Sequence, residues 1–212
     1  MMYSLVKRVI DIFGSVILCV LFIPIGLVTA IAIRNDTNGP IFADTPQRVG
    51  KDGKLFKLYK FRSMVVHAHE RLRRDPGMAQ LYGEYKKNSY KLKKDPRVTR
   101  VGRFIRKHSI DEIPQILNVL KGEMSLVGPR PYYPDELVEQ QRKYPQTRNL
   151  VKVVLSAKPG VTGYWQVSGR SEVNFDKRIK MDADYVKKRS IWLDVVILLK
   201  SPWAMISGKG AV

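Results

Sequence analysis

The sequence predicts an α+β protein that is mainly helical and contains one small β-hairpin. Residues 12–33 form an uncharged apolar run that is long enough for a membrane helix. A turn sequence, Gly50-Lys51-Asp52-Gly53, separates strand-like residues 41–49 from strand-like residues 54–61, which is typical of a hairpin. Much of the remaining chain places apolar residues at helical spacing, so helices dominate the prediction.

Length and charge narrow the function classes. The 212 residues suffice for one domain with a sizeable core and an accessory segment. Lysine and arginine total 38 against 19 aspartate and glutamate residues, a net charge of +19 that predicts an anionic partner. Nucleic acid, an anionic bilayer and phosphorylated substrates all qualify. The single cysteine, Cys19, excludes an internal disulfide and fits a reducing compartment.

The residues of the apolar run leave three interpretations open. A cleaved signal peptide is suggested by Ala30-Ile31-Ala32, although the run is long for that role. A spanning helix would place Lys7 and Arg8 across the membrane from the basic body, against the positive-inside tendency. A helix bent at Pro24 would keep both ends on one face, so that Asp11 and the two basic residues reach polar groups of the domain.

A second focus lies at residues 106–115, with the sequence Arg-Lys-His-Ser-Ile-Asp-Glu-Ile-Pro-Gln. Apolar residues at helical spacing predict a short helix here. The helix is expected to start either with a capping box between Ser109 and Glu112 or with Asp111 as its cap. Either start puts the two acidic residues in the first turn, where backbone N–H groups favour negative charge. On spacing alone, a purely structural role as caps is the favoured interpretation.

Basic residues near this acidic pair point to phosphate chemistry. Thr99 is placed to cap a preceding helix whose basic stripe ends at Arg106 and Lys107. The stiff turn at residues 128–131, Gly-Pro-Arg-Pro, adds Arg130. Arginines that converge on a helix N-terminus form a phosphate site. A carboxylate there is repulsive unless a divalent cation joins it or the carboxylate attacks phosphorus as a covalent nucleophile.

Three motifs together resemble a known family. They are residues 106–115, the turn at residues 128–131, and residues 159–170, which contain Pro-Gly-Val-Thr-Gly and Trp-Gln-Val-Ser-Gly-Arg. In this order and spacing they resemble the monotopic phosphoglycosyl transferases, the bacterial sugar transferase family, over nearly the whole chain. His108 stands in place of a small polar residue, and isoleucines replace the usual leucines on either side of the acidic pair, which is itself unchanged.

The resemblance implies transfer of a sugar-1-phosphate from a UDP-sugar, of the galactose or glucose type, to undecaprenyl phosphate with release of UMP. This step would initiate the assembly of a polysaccharide or other glycoconjugate. It implies a phosphosugar–aspartyl intermediate on Asp111, with Glu112 activating the acceptor or holding the metal, and Mg²⁺ bound by Asp111 and Glu112. The expected phosphate and substrate contacts are Arg106, Arg130, Lys60, Arg62, Gln166 and Arg170.

The same resemblance implies a monotopic membrane protein. Residues 1–36 are expected to form a re-entrant helix broken near Pro24, and residues 37–212 a catalytic domain at the cytosolic face of the bacterial inner membrane.

Residues 174–189 predict an amphipathic helix, and residues 191–206 predict a helix that is core-packed or lies on the membrane surface. The tyrosines and lysines of residues 80–94 are expected to face anionic lipids. A homodimer is left open.

Two other function classes fit part of the sequence. A nucleic-acid-binding protein would explain the charge and the aromatic–basic residues 80–94, but not an apolar run beside an acidic pair. A basic membrane scaffold without activity would explain the apolar run and the charge. His67 and His69 have the spacing of a weak metal motif, but no further histidine or cysteine cluster supports a zinc site, so none is predicted.

Overall fold

A computed structural model describes residues 2–88, 90, 92, 94–168 and 174–207. It confirms a mainly helical α+β protein with small sheets. The α-helices are α1 (Met2–Asp36), α2 (Ala68–Arg74), α3 (Ala79–Lys87), α4 (Arg100–Lys107), α5 (Gln115–Leu120), α6 (Pro134–Lys143), α7 (Arg148–Leu155), α8 (Tyr164–Ser168), α9 (Phe175–Lys188) and α10 (Ile191–Ser207). The strands are β1 (Arg48–Val49), β2 (Leu55–Phe56), β3 (Ser125–Val127) and β4 (Gly160–Thr162).

The predicted hairpin is present but its strands are short. β1 and β2 pair antiparallel, with Arg48 opposite Phe56 and Val49 opposite Leu55. Asp52 and Gly53 in the turn have φ values of 56° and 79°, in the left-handed region that suits a tight reversal. A second, parallel pair joins β3 to β4, and the sequence did not predict it. This pairing places residues 128–131 next to residues 159–163, although the two segments are far apart in the sequence.

Two apolar clusters hold the helices around these strands. In the first, α7 and α9 pack their buried faces on each other and on Tyr132, which is fully buried. In the second, Phe56 of β2 and Leu58 just after it pack on Val119 of α5 and Leu126 of β3. The second cluster also contacts α1, so the apolar N-terminal helix is part of the packed body rather than an appended segment.

Polar contacts tie the first turns of α1 to the rest of the protein. Lys7 Nζ lies 2.6 Å from Asp194 Oδ2 of α10. Arg8 donates to the carbonyl oxygens of Val119 and Leu120 at the end of α5, at 2.6 and 2.9 Å. Gly122 N also donates to Val119 O at 2.9 Å, so the guanidinium adds to the capping of this helix end. The expectation that Lys7 and Arg8 meet polar groups of the domain is confirmed.

The far end of α1 contacts the same body. Ile33 is buried against Phe61 and Ile105, and Asp36 accepts a hydrogen bond from Val101 N at 3.1 Å. The helix continues through Pro24 without a change of secondary structure, so the break expected there is not seen as an interruption of α1. Among the described residues, α1 is the one helix long and apolar enough to cross a membrane. Its re-entrant course stays a prediction.

The structure corrects the expected start of the helix that follows the acidic pair. Ser109 has a φ of 55° and makes no side-chain cap, because it ends α4 in a left-handed conformation instead of the extended one that an N-cap requires. Ile110–Glu112 forms one 3-10 turn, and α5 begins only at Gln115. Both predicted caps, the Ser109–Glu112 box and Asp111, are therefore wrong.

The tyrosines of residues 80–94 also differ from expectation. Tyr85 and Tyr90 are buried in an apolar cluster with Leu72, Leu92 and Tyr133, so they face neither lipid nor nucleic acid. Their rings meet edge to face at 5.2 Å, which favours packing in an interior. The interpretation of this segment as a row of interfacial tyrosines is wrong for these two, while residues 89, 91 and 93 lie outside the described part.

Candidate active site

One chamber of about 280 Å³ opens between the hairpin, the 3-10 turn Ile110–Glu112 and the start of β4. Seven of the eight residues expected at the site line it, and the eighth, Arg170, lies outside the described residues. The seven are Lys60, Arg62, Arg106, Asp111, Glu112, Arg130 and Gln166. The tertiary fold therefore brings residues from four separate stretches of the chain to one cavity.

The acidic pair is held at the chamber wall by the main chain and by one lysine. Phe61 N donates to Asp111 O at 3.0 Å, which joins the 3-10 turn to the segment after β2. Lys60 Nζ lies 2.7 Å from Glu112 Oε1 and 3.4 Å from Asp111 Oδ2. The Asp111 side chain is 9% exposed and that of Glu112 is 30% exposed. Asp111 thus sits deeper, and Glu112 nearer the open space.

Burial and Lys60 separate the behaviour of the two carboxylates. Burial raises the pKa of Asp111, and the attraction of Lys60 only partly opposes this rise. Burial also acts to raise the pKa of Glu112, but Lys60, followed by Arg130 and Arg48, outweighs it and the pKa falls below its ordinary value. The pKa of Lys60 rises because the two carboxylates outweigh its own desolvation. Neighbouring carboxylates with opposed pKa shifts are typical of sites that divide chemical roles between them.

Arg130 is positioned by a close approach of two backbones. Gly128 N donates to Thr162 O at 3.0 Å and Gly160 N donates to Pro129 O at 2.8 Å. A Cβ on Gly160 would lie 2.1 Å from Gly128 N, so only glycine fits there. The Arg130 main-chain N donates to Asp182 Oδ2 at 3.2 Å, and its guanidinium lies 5.7 Å above the ring of Trp165. The turn therefore presents this guanidinium to the chamber on a rigid base.

A buried ionic network supports that base. Arg178 Nη2 donates to Glu136 Oε1 at 2.8 Å, and Arg130 Nη2 lies 3.9 Å from Glu136 Oε2. Tyr132 donates to Asp182 Oδ2 at 3.0 Å. Burial raises the pKa of Asp182 to about 6, a rise that its hydrogen bonds and Arg178 only partly oppose. Together, these four residues, Arg178, Glu136, Tyr132 and Asp182, fix the orientation of Arg130.

Arg106 reaches the chamber from the last turn of α4. The predicted cap of this helix is confirmed, since Thr99 Oγ1 accepts from Gly102 N at 2.9 Å. The helix ends beside the acidic pair, and the charge of Arg106 acts to lower the pKa of Asp111. Its position is compatible with the phosphate contact expected of it.

Arg62 and Gln166 line the chamber but donate to the protein itself. The Arg62 guanidinium donates to Thr37 Oγ1 at 2.7 Å, to Thr37 O at 2.8 Å and to Asn38 O at 3.2 Å, which fastens the end of α1. These contacts give Arg62 a structural role, and the phosphate contact expected of it stays a prediction. Gln166 Nε2 donates to Val161 O at 3.1 Å, while its Oε1 is buried with no hydrogen-bond partner among the described residues.

Several further polar residues line the chamber, and two of them, Arg48 and His69, are ones that sequence reasoning missed or set aside. Arg48 of β1 lines it and stacks on Tyr133, with 3.2 Å from the guanidinium carbon to the ring centre. A single arginine in a strand-like stretch carries no motif that could have identified it. His69 also lines the chamber, where burial and the charge of Arg97 lower its pKa to about 3. Its imidazole is therefore neutral at physiological pH.

The acidic pair fits Mg²⁺ in one specific way. Lys60 Nζ contacts an oxygen of each carboxylate, so Asp111 and Glu112 converge on one cationic position. Within the described ranges, no three His, Cys, Asp or Glu side chains converge to form a complete protein cage. Mg²⁺ is usually held by one or two carboxylates together with substrate phosphates and water, which is the donor set that this site could complete.

Comparison with known proteins gives a consistent result. The family model described as bacterial sugar transferase matches residues 2–208. The chain is 45% identical to an undecaprenyl-phosphate galactose phosphotransferase of Salmonella typhimurium, over 97% of this chain and 41% of that protein. It is 41% identical to the galactosyl transferase CpsE of Streptococcus agalactiae, over 99% of this chain and 44% of that protein.

The similarity also extends to a shorter relative. The exopolysaccharide production protein ExoY of Rhizobium meliloti is 36% identical, over 98% of this chain and 88% of that protein. The chain thus spans less than half the length of the Salmonella and Streptococcus relatives, but most of ExoY. Because the family model covers almost every residue from the apolar helix to α10, the chain belongs to the bacterial sugar transferase family.

Proposed function

We propose that the chain is a phosphoglycosyl transferase that moves a sugar-1-phosphate from a UDP-sugar to undecaprenyl phosphate and releases UMP. One observation carries the proposal: a carboxylate pair, with Asp111 buried and Glu112 partly exposed, is bridged by Lys60 and shares a chamber with Arg130, in a protein that also has a long apolar helix. The relatives named as a galactose phosphotransferase of undecaprenyl phosphate and as a galactosyl transferase support a hexose as the sugar. Those named for exopolysaccharide production support a role in initiating glycoconjugate assembly.

In the first half-reaction, which uses the donor UDP-sugar, Asp111 is the nucleophile. A carboxylate oxygen of Asp111 attacks the β-phosphorus of the UDP-sugar, and the bond from that phosphorus to the bridging oxygen breaks. UMP leaves with the bridging oxygen and its electron pair. The product is an acyl phosphate, in which the sugar-1-phosphate is esterified to Asp111.

The acceptor half-reaction regenerates the enzyme. An oxygen of the lipid phosphate attacks the same phosphorus, and the Asp111 carboxylate departs as the leaving group. Two displacements at one site avoid a direct encounter between two bulky anionic substrates, one water-soluble and one lipid. The lipid-linked sugar diphosphate then leaves along the membrane.

The opposed pKa shifts suit these roles. Burial makes Asp111 more basic than an ordinary carboxylate, which strengthens it as a nucleophile, while the nearby Lys60 keeps an ionised form accessible. Glu112, with its lowered pKa, stays ionised and is the second carboxylate that would hold Mg²⁺ together with Asp111 and substrate phosphates. When bound, such an ion offsets negative charge on the phosphate oxygens. Arg130 and Arg106 bind phosphate oxygens at the rim of the same chamber.

The membrane arrangement is proposed to be monotopic at the cytosolic face of the bacterial inner membrane. Both ends of α1 contact the same body, through Lys7 at one end and Asp36 at the other, which favours a re-entrant helix over a spanning one. The side chains of Trp192, Leu199 and Trp203 on α10 are each 75% exposed, and this apolar surface supports contact with the interface. Lysines and arginines around it would attract anionic lipids.

Substitution at the acidic pair tests this proposal. The full chain in lipid nanodiscs is mixed with UDP-galactose labelled with ³²P in the β-phosphate, and label bound to protein after denaturation is counted. Asp111→Asn should abolish both the adduct and UMP release, whereas Glu112→Gln should retain some adduct while losing transfer to undecaprenyl phosphate. Asp52→Asn, in the exposed hairpin turn, is the matched control. A labelled adduct or full activity in Asp111→Asn would show that the nucleophile is misassigned, and a wild type that forms no adduct and releases no UMP would favour a membrane scaffold.

A further inference from the structure

The buried arginines of this protein differ in how their charge is balanced. Four arginines in the described part are less than 9% exposed: Arg48, Arg62, Arg97 and Arg178. Arg97 donates to both carboxylate oxygens of Asp95, at 2.8 and 2.6 Å, and Arg178 has its ion pair with Glu136. Arg62 donates to several oxygens of residues 37–40. Each of these three has strong polar partners within the protein, although Arg178 Nε is also buried without an acceptor.

Arg48 has no comparable set of partners. Its guanidinium donates one hydrogen bond within the described residues, from Nη1 to Pro131 O at 3.3 Å. Among the described residues, no carboxylate oxygen lies within 4.0 Å of the Arg48 guanidinium nitrogens, which is the limit for an ion pair. Arg48 Nε is buried without an acceptor. A positive charge that is buried without a counter-ion is costly, and a donor left unsatisfied adds to that cost. The position therefore favours an anion that the protein itself does not supply.

The surroundings of Arg48 show where such an anion would lie. Arg48 lines the same chamber as Asp111 and Glu112, and its charge is felt by Glu112, Lys60 and Arg130. The ring of Tyr133 covers one face of the guanidinium at 3.2 Å. Stacking of this kind fixes the plane of the group, so its in-plane N–H donors keep a constant direction. Arg48 therefore brings a guanidinium of fixed orientation to the chamber, while its Nε is buried without an acceptor.

We propose that Arg48 is a phosphate-binding residue of this site, which completes its hydrogen bonds only when a substrate phosphate enters the chamber. The inference rests on the proposed function, because that function supplies the phosphate. Its chemistry is shared by two sources, the diphosphate of the nucleotide-sugar and the phosphate of the lipid acceptor. Arg48 comes from the hairpin, so the hairpin is part of the binding site and not only of the scaffold.

Binding of UDP, measured by calorimetry on the full chain in nanodiscs, distinguishes the two sources without requiring turnover. If Arg48 binds the donor diphosphate, Arg48→Gln weakens UDP binding at least tenfold. Arg48→Lys, which keeps the charge but loses the planar fork, falls between Arg48→Gln and the wild type. Arg142→Gln removes the same charge from the exposed surface of α6 and should stay within twofold of wild type. If Arg48 binds the acceptor, UDP binding is unchanged and the KM for undecaprenyl phosphate rises at least tenfold in Arg48→Gln.

Unchanged UDP binding together with an unchanged KM for the lipid would overturn the inference. Thermal unfolding of each variant shows whether the fold persists. If Arg48→Gln unfolds, the same two measurements on Arg48→Lys decide the question, with wild-type values in both counting against the inference. If the wild type binds no UDP, the proposed nucleotide donor is wrong, and binding of inorganic pyrophosphate to wild type and Arg48→Gln then tests Arg48 separately.

Discussion

Lys60 donates to Glu112 across 2.7 Å and reaches Asp111 at 3.4 Å, so one ammonium group sets the charge of both carboxylates. The lysine follows β2 and the carboxylates follow α4. The main-chain bond from Phe61 N to Asp111 O, the bond from Thr99 N to Ser63 O and the packing of Phe61 on Ile105 hold the two segments together. The electrostatic state of the acidic pair therefore depends on the hairpin being in place.

Replacing Lys60 by methionine should shift the pH dependence of turnover. Lys60 lowers the pKa of Glu112, so its loss raises that pKa and Glu112 stays protonated up to a higher pH. The acid limb of kcat/KM should move to higher pH, with activity falling most below neutrality. Lys54→Met, at an exposed lysine of the hairpin turn, controls for net charge. An acid limb at its wild-type position would show that Glu112 does not control this limb.

Asp182 should make stability depend on pH. Burial raises its pKa in the folded state to about 6 from the ordinary 3.8, so the folded protein favours the protonated acid. Its stabilising contribution is complete below the unfolded pKa and is lost as pH rises through about 6, at a cost of about 2–3 kcal/mol. Asp182→Asn should flatten this decline. Chemical denaturation between pH 4 and pH 7 measures it, and an equal decline in both proteins would contradict the assignment.

Breaking the Glu136–Arg178 ion pair should lower the free energy of unfolding more than replacing both of its residues. Both side chains are almost fully buried. Arg178→Met removes the closer counter-ion of Glu136 and leaves only Arg130 at 3.9 Å, so it should destabilise the protein by about 3–5 kcal/mol. Adding Glu136→Gln to that variant should recover a large part of the loss. Unfolding free energies of the two single variants and the double variant form the test. Additive losses in the double variant would mean that the two charges are not coupled.

Asp11 should anchor α1 through its acceptor oxygen. It is 3% exposed and accepts from Ser125 Oγ at 2.9 Å and from Leu126 N at 3.0 Å. Asp11→Ala leaves a buried backbone N–H without an acceptor, which should cost about 1–3 kcal/mol. Asp11→Asn keeps an acceptor and should cost less. Thermal unfolding in nanodiscs compares the two, and equal losses would indicate that charge, not hydrogen bonding, holds the helix.

Two helical glycines should respond oppositely to alanine. A Cβ on Gly102 would lie 1.9 Å from Ser63 O, so Gly102→Ala must displace α4 and with it Arg106. We expect a lowered melting temperature and a raised KM for the UDP-sugar. Gly83 in α3 has open space around its Cβ position, so Gly83→Ala should leave activity unchanged and add up to about 1 kcal/mol of stability. A loss of stability in both variants would contradict this distinction.

Local patterns made several elements predictable. The hairpin turn, the Thr99 cap of α4 and the charged and apolar helices α9 and α10 all depend on neighbouring residues, and the structure confirms them. The acidic pair was also recognisable, because its motif is contiguous. Its catalytic and metal-binding roles stay predictions. Where a prediction was wrong, as at Ser109, tertiary contacts had selected a left-handed turn over the local cap.

By itself, the sequence determined the apolar helix and the carboxylate pair, since each is encoded in a continuous stretch, and the family, since its three motifs are each contiguous. Only the tertiary structure decided that Lys60 bridges the pair, that Arg48 joins the chamber and that Arg62 is occupied by the end of α1. It also buried Tyr85 and Tyr90, which local composition had assigned to a surface. The reason is physical: burial and pairing of a charged or aromatic side chain depend on groups distant in the chain, and spacing along the chain carries no record of them.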